Sequence, residues 1–293
     1  MNRSFRFGVV AASATTHTAW IATARRAEEL GYAALLMPDR TTIGSFAPFP
    51  ALAVAAEATK VLRVGSYVFC NEYRHPVMLA RDAATLDVLS EGRFELGMGA
   101  GVGSYEAQRM GIPFANAGVR VGHLEEALQL MKQLFTEETV NFNGKYYQVT
   151  EMRGNIPPVQ KPHMPILVAG GGERMLKLAA READIIAIGS KITARGVDPT
   201  DATMEQKIAW IKEAAGERFA DLELSQTVYD LVITDSNATV LQQGPPIPKK
   251  PMSTEQAVTQ LLEQRERYGF SYMQVFEGQM ENFAPIVARL AGQ

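Results

Sequence analysis

Apolar runs and helical patterns take turns along the chain. Phe5 to Ala11 is an apolar run with the length of a strand. From Thr18 to Leu30, apolar or small residues return at helical spacing, and Gly31 stands where a C-cap glycine belongs. Tyr32 to Met37 is a second apolar run, ending in Pro38-Asp39-Arg40. The alanine-rich Pro50 to Thr59 reads as a helix, Leu62 to Phe69 as a strand, and Pro76 to Leu89 as a helix opened by its proline. Arg93 to Met98 is the fourth strand candidate, running into GMGAGVG. A long helix is predicted over Val119 to Phe135.

Residues 136–165 break the rhythm with NFNGKYYQV, a hairpin signal around Asn143-Gly144, and the proline-rich PPVQKPHMP. PILVAGGGERMLKLAAREADIIAIG, residues 165–189, restores it as strand, glycine turn, helix, strand. Helical patterns at Thr203 to Glu217 and Ser253 to Tyr268 flank a strand candidate at Leu222 to Thr234. Tyr272 to Phe276 and Glu281 to Leu290 close the series as strand and helix.

Strands alternating with helices imply parallel βαβ units. About eight pairs favour a closed (β/α)8 TIM barrel over an open doubly wound sheet. No linker divides the chain, so residues 1–293 read as a single barrel domain.

Composition narrows the function. Net charge is −3 with no basic block, which argues against a nucleic-acid partner. No apolar run is long enough to cross a membrane and the N-terminus carries no secretory pattern, so a cytoplasmic enzyme is expected. The one cysteine, Cys70, rules out an internal disulfide and agrees with a reducing compartment. His17, His75, His123 and His163 form no metal-binding spacing, and no metal is expected. Trp20 and Trp210 read as packing residues, and Arg74 and His75 as caps of the helix that follows them.

In a TIM barrel the active site lies at the C-terminal strand ends. Those ends carry Ala12-Ser13, Asp39-Arg40, Cys70-Asn71, Gly99-Ala100-Gly101, Gly170-Gly171-Gly172, Gly189-Ser190-Lys191 and Glu277-Gly278. Two glycine-rich turns on one rim, with a lysine beside the second, suit a large phosphorylated ligand. A strand that hands over to a helix through three glycines lets an anion reach backbone N–H groups at the helix start.

The segment RHPVMLARDAATLDVLSEGRFELGMGAG, residues 74–101, resembles the luciferase-like monooxygenase superfamily, in its branch that uses the deazaflavin coenzyme F420. Pro38-Asp39-Arg40, residues 120–135, FNGKYYQV at 142–149, PILVAGGGERMLKLAAREADI and the tail MENFAPIVARLAG resemble the same superfamily. The resemblance implies a barrel with an insertion before the fifth strand. It implies a cofactor ring across the rim, over a bulge at Tyr67-Val68-Phe69 that often holds a non-prolyl cis peptide, with Cys70, Asn71, Gly99, Ala100 and Gly101 beside it. It implies a cofactor phosphate at Gly170, Gly171, Gly172 and Glu173 and at Gly189, Ser190 and Lys191, near the helix start at Arg174.

The expected reaction is hydride transfer between F420 and a small organic substrate, with Asp39 and Arg40 as candidates for proton handling or orientation and Asn71 and Glu106 as further polar groups. Sugar-phosphate dehydrogenases of the family carry a histidine where Arg40 stands and a glutamate near Val102, so sugar-phosphate oxidation is not expected. The alternative is an FMN-dependent monooxygenase; a further one is a barrel that binds a phosphorylated ligand without catalysis. Relatives are commonly dimers packed through helices near the second and third strands, so a homodimer is expected. Loops 41–49, 102–118, 190–202 and 244–251 are expected to set specificity.

Overall fold

The computed structural model describes residues 3–41, 46–101, 105–153, 156–193, 196–229, 231–236 and 250–293. Eight parallel strands form the barrel: β1 (Arg6–Val10), β2 (Ala34–Met37), β3 (Arg63–Ser66), β4 (Phe94–Gly99), β5 (Ile166–Gly170), β6 (Ile185–Ile188), β7 (Glu223–Thr227) and β8 (Phe270–Phe276). They run β3-β2-β1-β8-β7-β6-β5-β4, and a β3–β4 pairing closes the circle. One main helix follows each strand: α1 (His17–Glu29), α2 (Pro48–Ala58), α3 (Pro76–Leu89), α4 (Ala117–Thr136), α5 (Glu173–Glu182), α6 (Met204–Ala215), α7 (Thr254–Tyr268) and α8 (Met280–Leu290). The closed TIM barrel read from the alternation is therefore what forms.

Strand side chains divide between two apolar layers, as alternation on a pleated strand requires. Val9, Leu35, Val64, Leu96, Val168 and Ile186 pack outward against the helices. Val10, Leu36, Leu167, Ile185, Ala187 and Tyr272 fill the inside of the barrel. At the N-terminal end of the strands the interior is polar. Arg6 bonds Glu95 at 2.5 Å and Glu223 at 2.6 Å, and Arg63 bonds Glu95 at 2.7 Å. The Arg6 guanidinium lies 3.6 Å from the centre of the Tyr272 ring. Burial alone would raise the Glu95 carboxyl; the two arginines outweigh it and hold the group below its ordinary value. This ionic plug closes the end opposite the site.

One strand reading is corrected. The Leu222 to Thr234 run is two strands: β7 stops at Thr227, and Leu231–Ile233 pairs with Lys250–Met252 in a separate two-stranded sheet. The β-branched and aromatic residues Thr227, Val228, Tyr229, Val232 and Ile233 carry strand character across the break and hid the departure from the barrel. The insertion before β5 folds as expected, with Thr139–Asn143 and Gln148–Arg153 as an antiparallel hairpin. Glu126 of α4 accepts the N–H groups of Lys145, Tyr146 and Tyr147 at 2.8, 2.8 and 3.1 Å, which fixes the hairpin tip against the barrel.

Candidate active site

The site begins with an irregularity in β3. Gly65 stands opposite Glu95 and Phe69 opposite Met98, so β3 carries one residue more than β4 over that span. The extra residue lies at Tyr67-Val68, whose peptide bond is cis, at the bulge implied by the resemblance. Phe69–Cys70 then resumes pairing with β4. Ser66 pins the bulge by donating to the Gly97 carbonyl at 2.8 Å and accepting the Gly97 N–H at 3.0 Å. Glycine is needed opposite, because a side chain on Gly99 would begin 2.8 Å from Val68. The bulge thereby lifts Tyr67 and Val68 into the barrel mouth, where with Ala169 and Phe276 they form a half-buried apolar floor. Tyr67 is tied across the mouth to Thr227 by a 2.8 Å hydroxyl–hydroxyl bond.

Asp39 is 8% exposed and its carboxylate is engaged on both oxygens. Arg74 donates to Oδ2 at 2.5 Å and to Oδ1 at 3.0 Å, and the Cys70 N–H donates to Oδ2 at 3.2 Å. Asp39 thus ties the end of β2 to the residues after the bulge. Of the two expected caps of α3, only His75 acts as one, accepting the Val77 N–H at 3.3 Å; Arg74 goes to Asp39 because a bidentate carboxylate is the stronger partner. Arg40 is half-exposed and donates Nε to Glu106 Oε1 at 2.5 Å, while Tyr73 donates to Glu106 Oε2 at 3.4 Å. Cys70 is buried, which pushes its thiol up to about 11.

Asn71 follows. It is 1% exposed and donates to the Tyr147 hydroxyl at 3.1 Å, while its Oδ1 has no hydrogen-bond partner. Glu72 lies 3.1 Å from His123 Nδ1. Beyond β4, Arg120 of α4 donates to the carbonyls of Ala100 at 2.9 Å and Gly101 at 3.4 Å, so that turn is held from behind. Val102 lies outside the described residues, as do residues 42–45, 103–104, 194–195 and 244–249 of the four loops expected to set specificity.

The three glycines of the β5 turn have three different neighbours. A side chain on Gly170 would run into Met175, and one on Gly171 would begin 2.5 Å from the Gly189 carbonyl. Gly172 alone faces open space. It is the N-cap of α5, and no side chain caps that helix. The first N–H groups of a helix have no partner within it, so this uncapped end is open to an anion. Glu173, in the first turn, is drawn aside by Lys177 at 3.0 Å. Arg174 is exposed and makes no ion pair among the described residues.

Beside this turn, Gly189 and Ser190 continue β6, and Lys191 is paired with Asp198 at 2.6 Å rather than open to a ligand. The cation that the sequence reading missed is Lys207 of α6. It is 1% exposed, donating to the Gly189 carbonyl at 2.8 Å and to Asp201 at 2.6 Å. Its signal was visible: Lys207 shares an apolar helical face with Ile211, a poor place for a solvated lysine. Arg74, Glu72, His123 and Tyr147 were also missed as site residues.

The sequence profile described as luciferase-like monooxygenase matches residues 5–244. The chain belongs to that family. Among relatives of this luciferase-like protein, an F420-dependent glucose-6-phosphate dehydrogenase of Amycolatopsis mediterranei is 29% identical over 215 residues, 64% of each chain. An F420-dependent hydroxymycolic acid dehydrogenase of Mycobacterium tuberculosis is 30% identical over 225 residues, 69% of this chain and 62% of that one. The matched stretches thus cover less than two thirds of either relative. In fold the luciferase-like chain is similar to the coenzyme F420-dependent tetrahydromethanopterin reductase of Methanopyrus kandleri, with a TM-score of 0.78, 16% identity and coverage of 98% of this chain and 100% of that one.

Proposed function

We propose that this protein is an F420-dependent oxidoreductase acting on a small organic substrate. The observation that carries the reading is the placing of the open, uncapped Gly172 turn and the Tyr67-Val68 bulge on one barrel rim. The F420-dependent relatives and the F420-dependent structural neighbour support the same choice of cofactor.

The residues present suit such a group. The first-turn N–H groups of α5 and the Arg174 side chain would hold the phosphate. Val68, with Tyr67, Ala169 and Phe276, would support one face of the ring and shield it from water. Bound there, the deazaflavin supplies hydride transfer at its C5 carbon; the protein supplies position, a dry ring face and charge compensation. Asp39 keeps the bulge in place through Arg74 and the Cys70 N–H, which makes it a positioning group. Arg40 faces the substrate side. Cys70, Asn71, Gly99, Ala100 and Gly101 form the turns beside the ring, and Gly189, Ser190 and Lys191 the far side of the phosphate site.

A titration of F420 fluorescence tests this: saturable quenching at one cofactor per chain is expected, with weaker binding of FMN. Tight binding of FMN alone would transfer the protein to the monooxygenase reading, in which reduced flavin reacts with oxygen.

We also propose a homodimer in the cytoplasm. Val54 of α2 and Met78, Val88 and Leu89 of α3 are exposed, at 37%, 49%, 38% and 63%. Exposed apolar side chains on two neighbouring helices are suited to a second copy of the chain. Sedimentation of wild type and Leu89→Glu tests it; a dimer that the charge dissociates is expected.

A further inference from the structure

We propose that the barrel mouth holds a binding site for a substrate carboxylate, formed by the outer edge of the Arg40 guanidinium. This rests on the oxidoreductase reading for the place of the cofactor and adds the class of substrate.

Most basic side chains of the rim already have partners. Both Nη groups of Arg74 go to Asp39. Arg120 is bound to the carbonyls of Ala100, Gly101 and Ala115. Lys191 is paired with Asp198 and Lys207 with Asp201. Arg109 lies 4.9 Å from the centre of the Tyr105 ring. Among the described residues, Arg174 and Arg40 have guanidinium N–H groups with neither a hydrogen-bond acceptor nor a ring against them. Arg174 stands beside the glycine turn after β5, where the cofactor phosphate belongs. Arg40 stands at the end of β2, next to bulged β3 and three strands round the barrel from β5. The two cations therefore flank the ring floor, one on the tail side and one on the other.

Arg40 is also held in a way that presents it. Only its Nε is used, by Glu106, whose side chain is 8% exposed. Glu106 lies beyond β4, so the pair joins the loops on either side of β3. Among the described residues, neither Nη of Arg40 has a partner. A guanidinium has five N–H donors in a planar fork, and the Nη edge matches the two oxygens of a carboxylate. The side chain is 56% exposed, so ligand can reach it. Glu106 sets the charge that is accepted. One guanidinium already offset by one carboxylate suits a monoanion; a phosphate dianion would add repulsion from Glu106.

The test uses matched probes on the F420-loaded protein at fixed ionic strength: cinnamate, cinnamamide and phenyl phosphate, by calorimetric titration. Cinnamate is expected to bind about tenfold more tightly than cinnamamide, and more tightly than phenyl phosphate. Arg40→Met should erase the acid–amide difference and Arg40→Lys restore part of it, with F420 affinity changed less than about twofold. Glu106→Gln, which keeps an acceptor for Nε but removes the charge, should strengthen phenyl phosphate binding, a gain that a merely structural role would not give. Equal binding of acid and amide by wild type, or a difference surviving in Arg40→Met, overturns the proposal. If F420 itself does not bind, the cofactor reading falls, and the same titration of the unloaded protein still decides this one.

Discussion

The buried ammonium of Lys207 bridges the two glycine-bearing turns of the rim. It donates to the Gly189 carbonyl at 2.8 Å and stands 3.6 Å from where a side chain on Gly171 would begin. It therefore fixes the spacing of the turns. Lys207→Met removes the bond that spaces the turns, and under the proposed phosphate site F420 binding should weaken on the order of tenfold. A deazaflavin lacking the phosphate tail should lose less than about twofold in affinity, since the ring floor is untouched. Fluorescence titration of the two compounds against wild type and variant reads the difference; equal losses would place the role of Lys207 in folding alone.

The β5 glycines should separate by position. Gly171→Ala puts a methyl group against the Gly189 carbonyl at 2.5 Å and should cost about 1–3 kcal/mol of stability. Gly172 has φ −83°, open to any residue, and nothing near a side chain. Gly172→Val should cost no more than about 1 kcal/mol, the N-cap preference for glycine over valine, while abolishing F420 binding by filling the approach to the helix start. A loss of stability well beyond that preference in the Gly172 variant would contradict the open turn.

The ionic plug at the other end of the barrel governs acid stability. Glu95 is held below the ordinary glutamate value of 4.5 in the folded protein. Its contribution is therefore present above about pH 4.5 and is lost as the pH falls through the lower folded value. Glu95→Gln removes the buried charge shared by two half-buried arginines, of which Arg6 keeps Glu223, and should destabilise by about 1–3 kcal/mol at neutral pH. It should also flatten the loss of stability on acidification, as urea unfolding from pH 7 downward would show.

Cys70 should be inert in the native protein. Its thiol is pushed up from 9.0 to about 11 by burial, so at pH 8 the reactive thiolate is scarce. The raised value means stability that is complete below pH 9 and lost as the pH climbs toward 11. An aromatic disulfide reagent should titrate the thiol at pH 8 only after denaturation; fast reaction of the folded protein would contradict the burial.

The barrel was legible because each strand is a short apolar run and each helix has an apolar stripe, both local properties. The Gly170–Gly172 turn was legible for the same reason. What stayed hidden depends on distance along the chain. Asp39 is partnered by Arg74, 35 positions away, and Tyr147 reaches Asn71 across 76. No local pattern states those pairings, so Asp39 read as a candidate for proton handling or orientation and Arg74 as a cap. The triplet shows the limit within a motif. Three like residues answer to Met175, to the Gly189 carbonyl and to open space, and only the last concerns a ligand.

A crystal structure with F420 bound reads the cofactor site directly. The phosphate should lie within hydrogen-bond distance of the first N–H groups of α5 and of Arg174, with the ring across Val68. A phosphate bound away from Gly172, or a ring that does not touch the Tyr67-Val68 bulge, would contradict the site described above.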